Sequence, residues 1–242
     1  MYSLTLAGRL DEALHAFDEA NKCLDGSWPA WFRAILPNRA GMLFAETGQH
    51  DVARQYFLDQ LALNRQSDNP SGELSALGLL VDLEVELGRH GRSVEIARDI
   101  VARYRPELGF DSALSLRNSA TALMAAGALE EAHGIYREAL AAARRNYGTG
   151  AFVLDDMATL LAHLARIDDA AKLSAYAEHV YPSGRRPRLV ARRNRERLLE
   201  LLAAERSPEA RAKLLQEGRR LTEDEACAMA CAAGEPVKRE SH

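Results

Sequence analysis

The sequence lacks the features of a secreted or membrane-spanning protein. Only three of its 242 residues are cysteines, Cys23, Cys227 and Cys231, an odd number without the spacing of a disulfide framework. No apolar run approaches the roughly 20 residues that a membrane-spanning helix needs, and residues 1–7 are too short for a secretion signal. We therefore expect a soluble protein in the reducing environment of the cytoplasm, with no membrane partner.

An excess of basic charge is also missing. Lysine and arginine number 31 against 35 acidic residues, which gives a net charge of −4. Proteins that hold nucleic acid through bulk electrostatics usually carry a positive surplus, so no direct nucleic-acid partner is expected. Hydrophobic residues make up 47% of the chain, which is enough to bury a sizeable core.

Catalytic and cofactor motifs are absent as well. The chain has no Gly-x-x-x-x-Gly-Lys-Ser/Thr phosphate loop, no His-Glu-x-x-His and no Gly-x-Ser-x-Gly. The strongest enzymatic candidate is Asp155-Asp156 near His163, but adjacent helical residues point in different directions. Cys227 and Cys231 have no histidine nearby, which makes a poor zinc site. We predict a protein without catalytic residues, cofactor or metal, and therefore not an enzyme.

The chain does contain a repeat. Five segments share a glycine-like turn residue, then two or three polar residues, then a small residue that opens a helix. They lie at residues 8–13, 48–53, 88–93, 127–132 and 165–170, which are 38 to 40 residues apart. A nearly constant period of this size is typical of a helical solenoid.

Each unit also repeats a packing pattern. An aromatic residue follows the small residue by four positions in three units: Phe17 after Ala13, Phe57 after Ala53, and Tyr136 after Ala132. Small residues also lie seven positions before three turns, where two helices must approach closely: Gly41, Ala120 and Ala158. Proline- and glycine-rich breakers separate the units, and no stretch alternates with period two. The pattern predicts an all-α chain with two antiparallel helices in each unit.

These residues resemble the tetratricopeptide repeat (TPR) family, whose units join a close helix contact, a glycine turn and an alanine–aromatic–alanine spacing. The resemblance covers about residues 1–180, departs at Ser93 and Ala97 in the third unit, and has a period of about 39 rather than about 34 residues. It implies a right-handed superhelix of about five TPR-like hairpins over residues 1–181. Residues 182–234 are expected to form a C-terminal helical cap, with helix starts at Ser207-Pro208 and Thr222, and residues 235–242 a disordered tail.

Long units of this kind look like the C-terminal sensor regions of bacterial signal-transduction ATPases that carry LuxR-type or winged-helix DNA-binding domains. That resemblance implies a regulatory module of a transcription regulator, with the parent protein's N-terminal ATPase and DNA-binding domains as partners. Only seven residues precede the turn at Gly8, against about sixteen in later units, which favours a piece of a longer protein. The alternative is a free-standing TPR adaptor that bridges protein partners.

In TPR arrays the first helix of each pair lines a concave groove that binds a protein segment, a peptide or a small effector. The register places these ten side chains in the groove: Asn38, Arg39, Met42, Asp82, Arg117, Asn118, Thr121, Asp155, Asp156 and Thr159. Asparagine beside arginine in units two and four offers donors for a peptide backbone or a carboxylate. Alternatively, these side chains pair with the three aspartates across neighbouring helices.

Two further features bear on binding. Trp28 and Trp31 are predicted on one helix face beside Phe32, where they pack between units or, alternatively, form a binding platform. An arginine run is made of Arg185, Arg186, Arg188, Arg192, Arg193, Arg195 and Arg197. It predicts an amphipathic helix from Pro187 to about Glu205 with a solvated basic face. Contact with phosphate or nucleic acid, or with an acidic surface of another domain, is the alternative.

Overall fold

The computed structural model describes residues 1–24, 26–108, 110–180 and 189–232, and regular structure in those ranges is entirely helical. The α-helices are α1 (Tyr2–Leu6), α2 (Leu10–Cys23), α3 (Ala30–Arg33), α4 (Ile35–Glu46), α5 (His50–Gln66), α6 (Pro70–Glu86), α7 (His90–Arg103), α8 (Phe110–Ala125), α9 (Leu129–Tyr147), α10 (Ala151–His163), α11 (Ile167–Val180), α12 (Leu189–Glu205), α13 (Pro208–Gly218) and α14 (Glu223–Cys231). Sequence neighbours pack as the pairs α1–α2, α4–α5, α6–α7, α8–α9 and α10–α11. The predicted all-α array of TPR-like hairpins is confirmed.

One turn geometry joins the two helices of every pair. The Gly127 amide donates to the Met124 carbonyl at 3.0 Å, and the Ala128 amide donates to the Leu123 carbonyl at 2.9 Å. The same two bonds recur at Gly8, Gly48, Gly88 and Ala165. This is the Schellman arrangement, in which a left-handed residue ends a helix and satisfies its last carbonyls. The four glycines have φ between +69° and +82°, and Ala165 has φ +60°.

The small residues after the turns are buried as the repeat pattern predicts. Ala13, Ala53 and Ala132 have no exposed surface, and the aromatic residues four positions on are buried beside them. At Gly41 the Phe57 ring occupies the place where a β-carbon would lie, so this pair of helices requires glycine. In the divergent third unit, Ser93 and Ala97 are also fully buried, so the unit keeps its packing with smaller side chains.

The C-terminal helices cover the last pair. α13 packs on α11 so closely that a β-carbon on Gly218 would collide with the Lys172 backbone. Both predicted caps are present: the Ser207 hydroxyl accepts from the Ala210 amide at 3.3 Å, and Thr222 and Glu225 form a reciprocal capping box. The predicted helix start at Pro187 and the tail at 235–242 lie outside the described residues, and the domain limits stay predictions.

None of the helices in the described part of the chain has the length and apolar character needed to cross a membrane.

Ala165 is the one turn residue of the five that is not glycine, and its positive φ is costly for a side chain with a β-carbon. Ala165→Gly is expected to raise the free energy of unfolding by about 1 kcal/mol, because the left-handed conformation costs L-residues about 1–2 kcal/mol. Urea denaturation followed by circular dichroism measures it. The matched control, Gly127→Ala, introduces the same penalty and is expected to lower stability by a similar amount. Equal stability of Ala165→Gly and the parent chain would contradict the argument.

Candidate functional site

The first helices α4, α6, α8 and α10 form one side of the array, here called the first-helix face. Ten predicted site residues lie on these four helices, but their surroundings differ. Met42, Asp82 and Asp155 are partly exposed, whereas Asn118, Thr121 and Thr159 are buried. The face therefore divides into an accessible part and a part that already serves the packing of the array.

Arg117 lies at the centre of this face. Its Nε is 3.1 Å from Asp156 Oδ2, and the two side chains are 13% and 5% exposed. Burial disfavours the charged guanidinium, but the carboxylates of Asp156, Asp82 and Asp155 outweigh burial and raise the pKa of Arg117. Three successive first helices thus contribute charge to one cluster, and the predicted pairing across neighbouring helices holds for Arg117 and Asp156.

Two hydrogen-bonded hydroxyl groups, those of Thr121 and Tyr136, lie beneath Arg117. The Thr121 hydroxyl donates to the Arg117 carbonyl at 3.0 Å and lies 2.8 Å from the Tyr136 hydroxyl. Because the Thr121 proton is used for the carbonyl, Tyr136 donates its own proton to Thr121. Burial, and then the charge of Asp156, raises the pKa of Tyr136 well above its ordinary value, so the phenol stays protonated. Thr121 therefore connects the face to the core.

Asn118 joins two units. Its Nδ2 donates to the Gly78 carbonyl at 2.9 Å, and the Ser115 hydroxyl donates to the Leu74 carbonyl at 2.8 Å. A β-carbon at Gly78 would lie 3.2 Å from the Ser115 α-carbon, so glycine lets α8 approach α6 closely. Sequence reasoning missed Ser115 and Gly78, although a glycine inside the long apolar helix α6 is a recognisable sign of close backbone approach.

The two ends of the face carry the remaining predicted residues. On α4, Asn38 and Arg39 are partly buried, and Arg39 Nη1 lies 3.9 Å from Met42 Sδ. On α10, burial raises the pKa of the Asp155 carboxyl, while Arg195 and Arg117 partly oppose that shift.

Helix α12 packs on this face, and some of its arginines pair with acidic side chains of the array. Arg193 Nη2 is 2.6 Å from Glu86 Oε1 on α6, and Arg195 Nη2 is 3.1 Å from Glu178 Oε2 on α11. Both arginines are therefore paired with acidic side chains of the array, but only Arg195, at 23% exposed, departs from the expected solvated basic face; Arg193 is 63% exposed. Arg185, Arg186 and Arg188 lie outside the described residues, as does the side chain of Arg192.

The aromatic cluster differs from the prediction too. Trp28 precedes α3 and Trp31 lies within it, so the two do not share a helix face. Pro37 lacks the amide that would bond to the Arg33 carbonyl, so one helical hydrogen bond is missing between α3 and α4, while Ala34 keeps helical dihedral angles. Trp28 stacks on Phe32 with ring centroids 4.7 Å apart, yet Trp28 and Trp31 are 43% and 56% exposed.

The described residues contain no group of three or more His, Cys, Asp or Glu side chains that could hold a metal ion. Cys227 is buried, and burial raises the pKa of its thiol to about 11, so it stays protonated at neutral pH.

Comparisons with known proteins add little to this description. No protein-family model and no curated protein matches the sequence. Solved structures do match, among them TPR-like repeats assigned to a kinesin light chain of Podosopora anserina, with 17% identity and a TM-score of 0.44. That similarity covers 83% of this chain and 90% of the other. The repeat character of the present chain is established by its own turns and helix packing.

Loss of the Arg117 guanidinium should leave the Asp156 charge buried without its arginine. Arg117→Met is expected to lower the free energy of unfolding by about 3–5 kcal/mol, the usual cost of breaking a buried ion pair. Chemical denaturation measures the loss. The double variant Arg117→Met with Asp156→Leu removes both charges and should regain a large part of it. A single variant as stable as the parent chain would show that the pair contributes nothing.

Proposed function

We propose that the chain is a non-enzymatic binding module that holds a segment of a partner protein, or a small effector, on its first-helix face. The observation that carries this proposal is the buried ion pair of Arg117 and Asp156 on neighbouring first helices, close enough to Asp82 on a third first helix for its charge to act on Arg117. Apolar residues at such positions would stabilise an array at least as well as a buried ion pair does. Charge kept there favours recognition of a polar or charged ligand.

The α4 end of the face supplies a second part of the proposed site. Ile35, Arg39 and Met42 follow each other at helical spacing and share one side of α4. Ile35 is among the most exposed large apolar residues, together with Trp28 and Trp31. Exposed apolar and aromatic side chains beside a guanidinium match the composition of protein-binding surfaces, where tryptophan and arginine contribute most of the affinity.

Arg39 tests this site without the stability loss expected at Arg117. Peptides selected from a displayed library on the immobilised chain should bind Arg39→Ala at least about tenfold more weakly, the effect of losing one charged contact. Fluorescence anisotropy measures the affinity. Arg137→Ala, which removes an exposed arginine from the second helix α9, is the matched control and should leave binding unchanged. Selected peptides that bind both variants equally would place the site elsewhere.

The resemblance of the repeats supports the proposal that this module is the sensor region of a larger cytoplasmic bacterial transcription regulator. In that setting residues 1–181 are the sensing array and residues 182–234 its cap. Ligand binding acts on an attached ATPase only if the two conformations of the parent protein bind the ligand with different affinity. A free-standing adaptor is the second candidate.

The native mass distinguishes the two settings. An immunoblot of the source cells with antibody against this chain should show a band well above 26.7 kDa if the regulator setting is right. A single band at that mass would contradict it and favour the adaptor.

A further inference from the structure

Helix α12 has two halves that contact the array differently. In the C-terminal half, Leu198 and Leu202 are 1% and 3% exposed within the core of the last two pairs. Just after the helix, Arg206 Nε lies 2.8 Å from Asp168 Oδ1. The N-terminal half reaches back to α6, two units earlier. The C-terminal half is thus part of the end of the array, whereas the N-terminal half lies across the first-helix face.

The N-terminal half contacts the array through two arginine ion pairs and through Val190, which is 9% exposed. Arg193 contacts the Glu86 carboxylate and, at 3.4 Å, the Glu86 carbonyl. Arg195 pairs with Glu178, and its charge also acts on Asp155. The array presents acidic groups from α6, α10 and α11 to these arginines, so charge complementarity determines what can lie on this part of the face.

The contact is incompletely satisfied. The Glu86 side chain is 6% exposed, and its Oε2 has no hydrogen-bond partner among the described residues. Within the part of the chain that the structure describes, the buried Nδ2 of Asn194 has none either. Burying a polar atom without a partner costs free energy that a better-matched ligand recovers. Arg193 itself is 63% exposed, so its ion pair contributes little to holding the helix.

From this geometry we infer that the acidic part of the first-helix face, formed by Glu86 and Asp155 with Glu178 of α11 beside them, binds an arginine-rich amphipathic helix of a partner protein. That helix replaces the N-terminal half of α12. The inference rests on the proposed function and names the partner for that face. α12 therefore competes with the partner helix for the same surface. Only those molecules in which its N-terminal half has left the face can bind the partner, and the apparent affinity falls in proportion to their fraction.

A labelled synthetic peptide with the sequence of residues 189–205 serves as the probe, titrated with the full chain in fluorescence anisotropy. Arg193→Glu sets two negative charges against each other at Glu86 and releases the N-terminal half. It should bind the peptide about tenfold more tightly than the parent chain, because more molecules are open. Arg197→Glu is the matched control: Arg197 pairs with Glu200 on the same helix, both are exposed, and binding should not change.

The variant Glu86→Arg distinguishes release of the N-terminal half of α12 from binding of the peptide. This variant also breaks the Arg193–Glu86 pair, but it removes the acidic group that the peptide requires, so peptide binding should be lost. A peptide carrying Arg193→Glu should bind the Glu86→Arg protein and thereby restore the pair. Circular dichroism confirms that each variant is folded.

Two results would overturn the inference. One is equal peptide affinity in Arg193→Glu, Arg197→Glu and the parent chain, which would make α12 purely structural. The other is undiminished binding to Glu86→Arg, which would place the peptide elsewhere. In either case, library-selected peptides that still depend on Arg39 would leave the proposed function intact. Loss of both kinds of binding would remove the proposed function as well.

Discussion

The left-handed residue at each of five turns determines where every other part of the array lies. Its two amide bonds close the first helix and reverse the chain within a few residues, so the second helix returns along the first. Small residues then fix how near the two helices come, as Gly41 does beneath Phe57. Because all five turns have the same geometry, successive first helices fall on the same side and bring distant side chains onto one face.

That common face explains why charge can be buried in an otherwise apolar array. Arg117 receives carboxylates from the helices on both sides, and a single hairpin could not provide them. Thr121 and Tyr136 carry the polar contacts from the face into the core without leaving a charge there. A buried ion is tolerated only where its partners are fixed in advance, and the repeat fixes them.

The parts of the fold that depend on local spacing were predictable from the sequence. Turn positions, small-residue contacts and the caps at Ser207 and Thr222 each follow from residues within one or two helical turns. The contact of Arg193 with Glu86 joins residues 107 positions apart, and the helical period says nothing about it. The hydrogen bond from Asn118 to the Gly78 carbonyl could not be predicted either. The same side-chain amide can donate to a ligand or to a neighbouring backbone, and the sequence does not distinguish the two. The division between α3 and α4 depends on a single hydrogen bond that Pro37 cannot donate.

The division of α12 decides what kind of change the array can undergo. Leu198 and Leu202 are buried among the helices of the last two pairs, so removing the whole helix would expose the core at that end. Freeing only the residues before Leu198 exposes a buried apolar side chain, Val190, and two ion-paired arginines, of which Arg193 is already 63% exposed. It leaves Leu198 and Leu202 in place. Local opening occurs most readily in the parts of a structure that have few buried apolar contacts. The acidic part of the face can therefore become accessible while the repeats beneath it keep their packing.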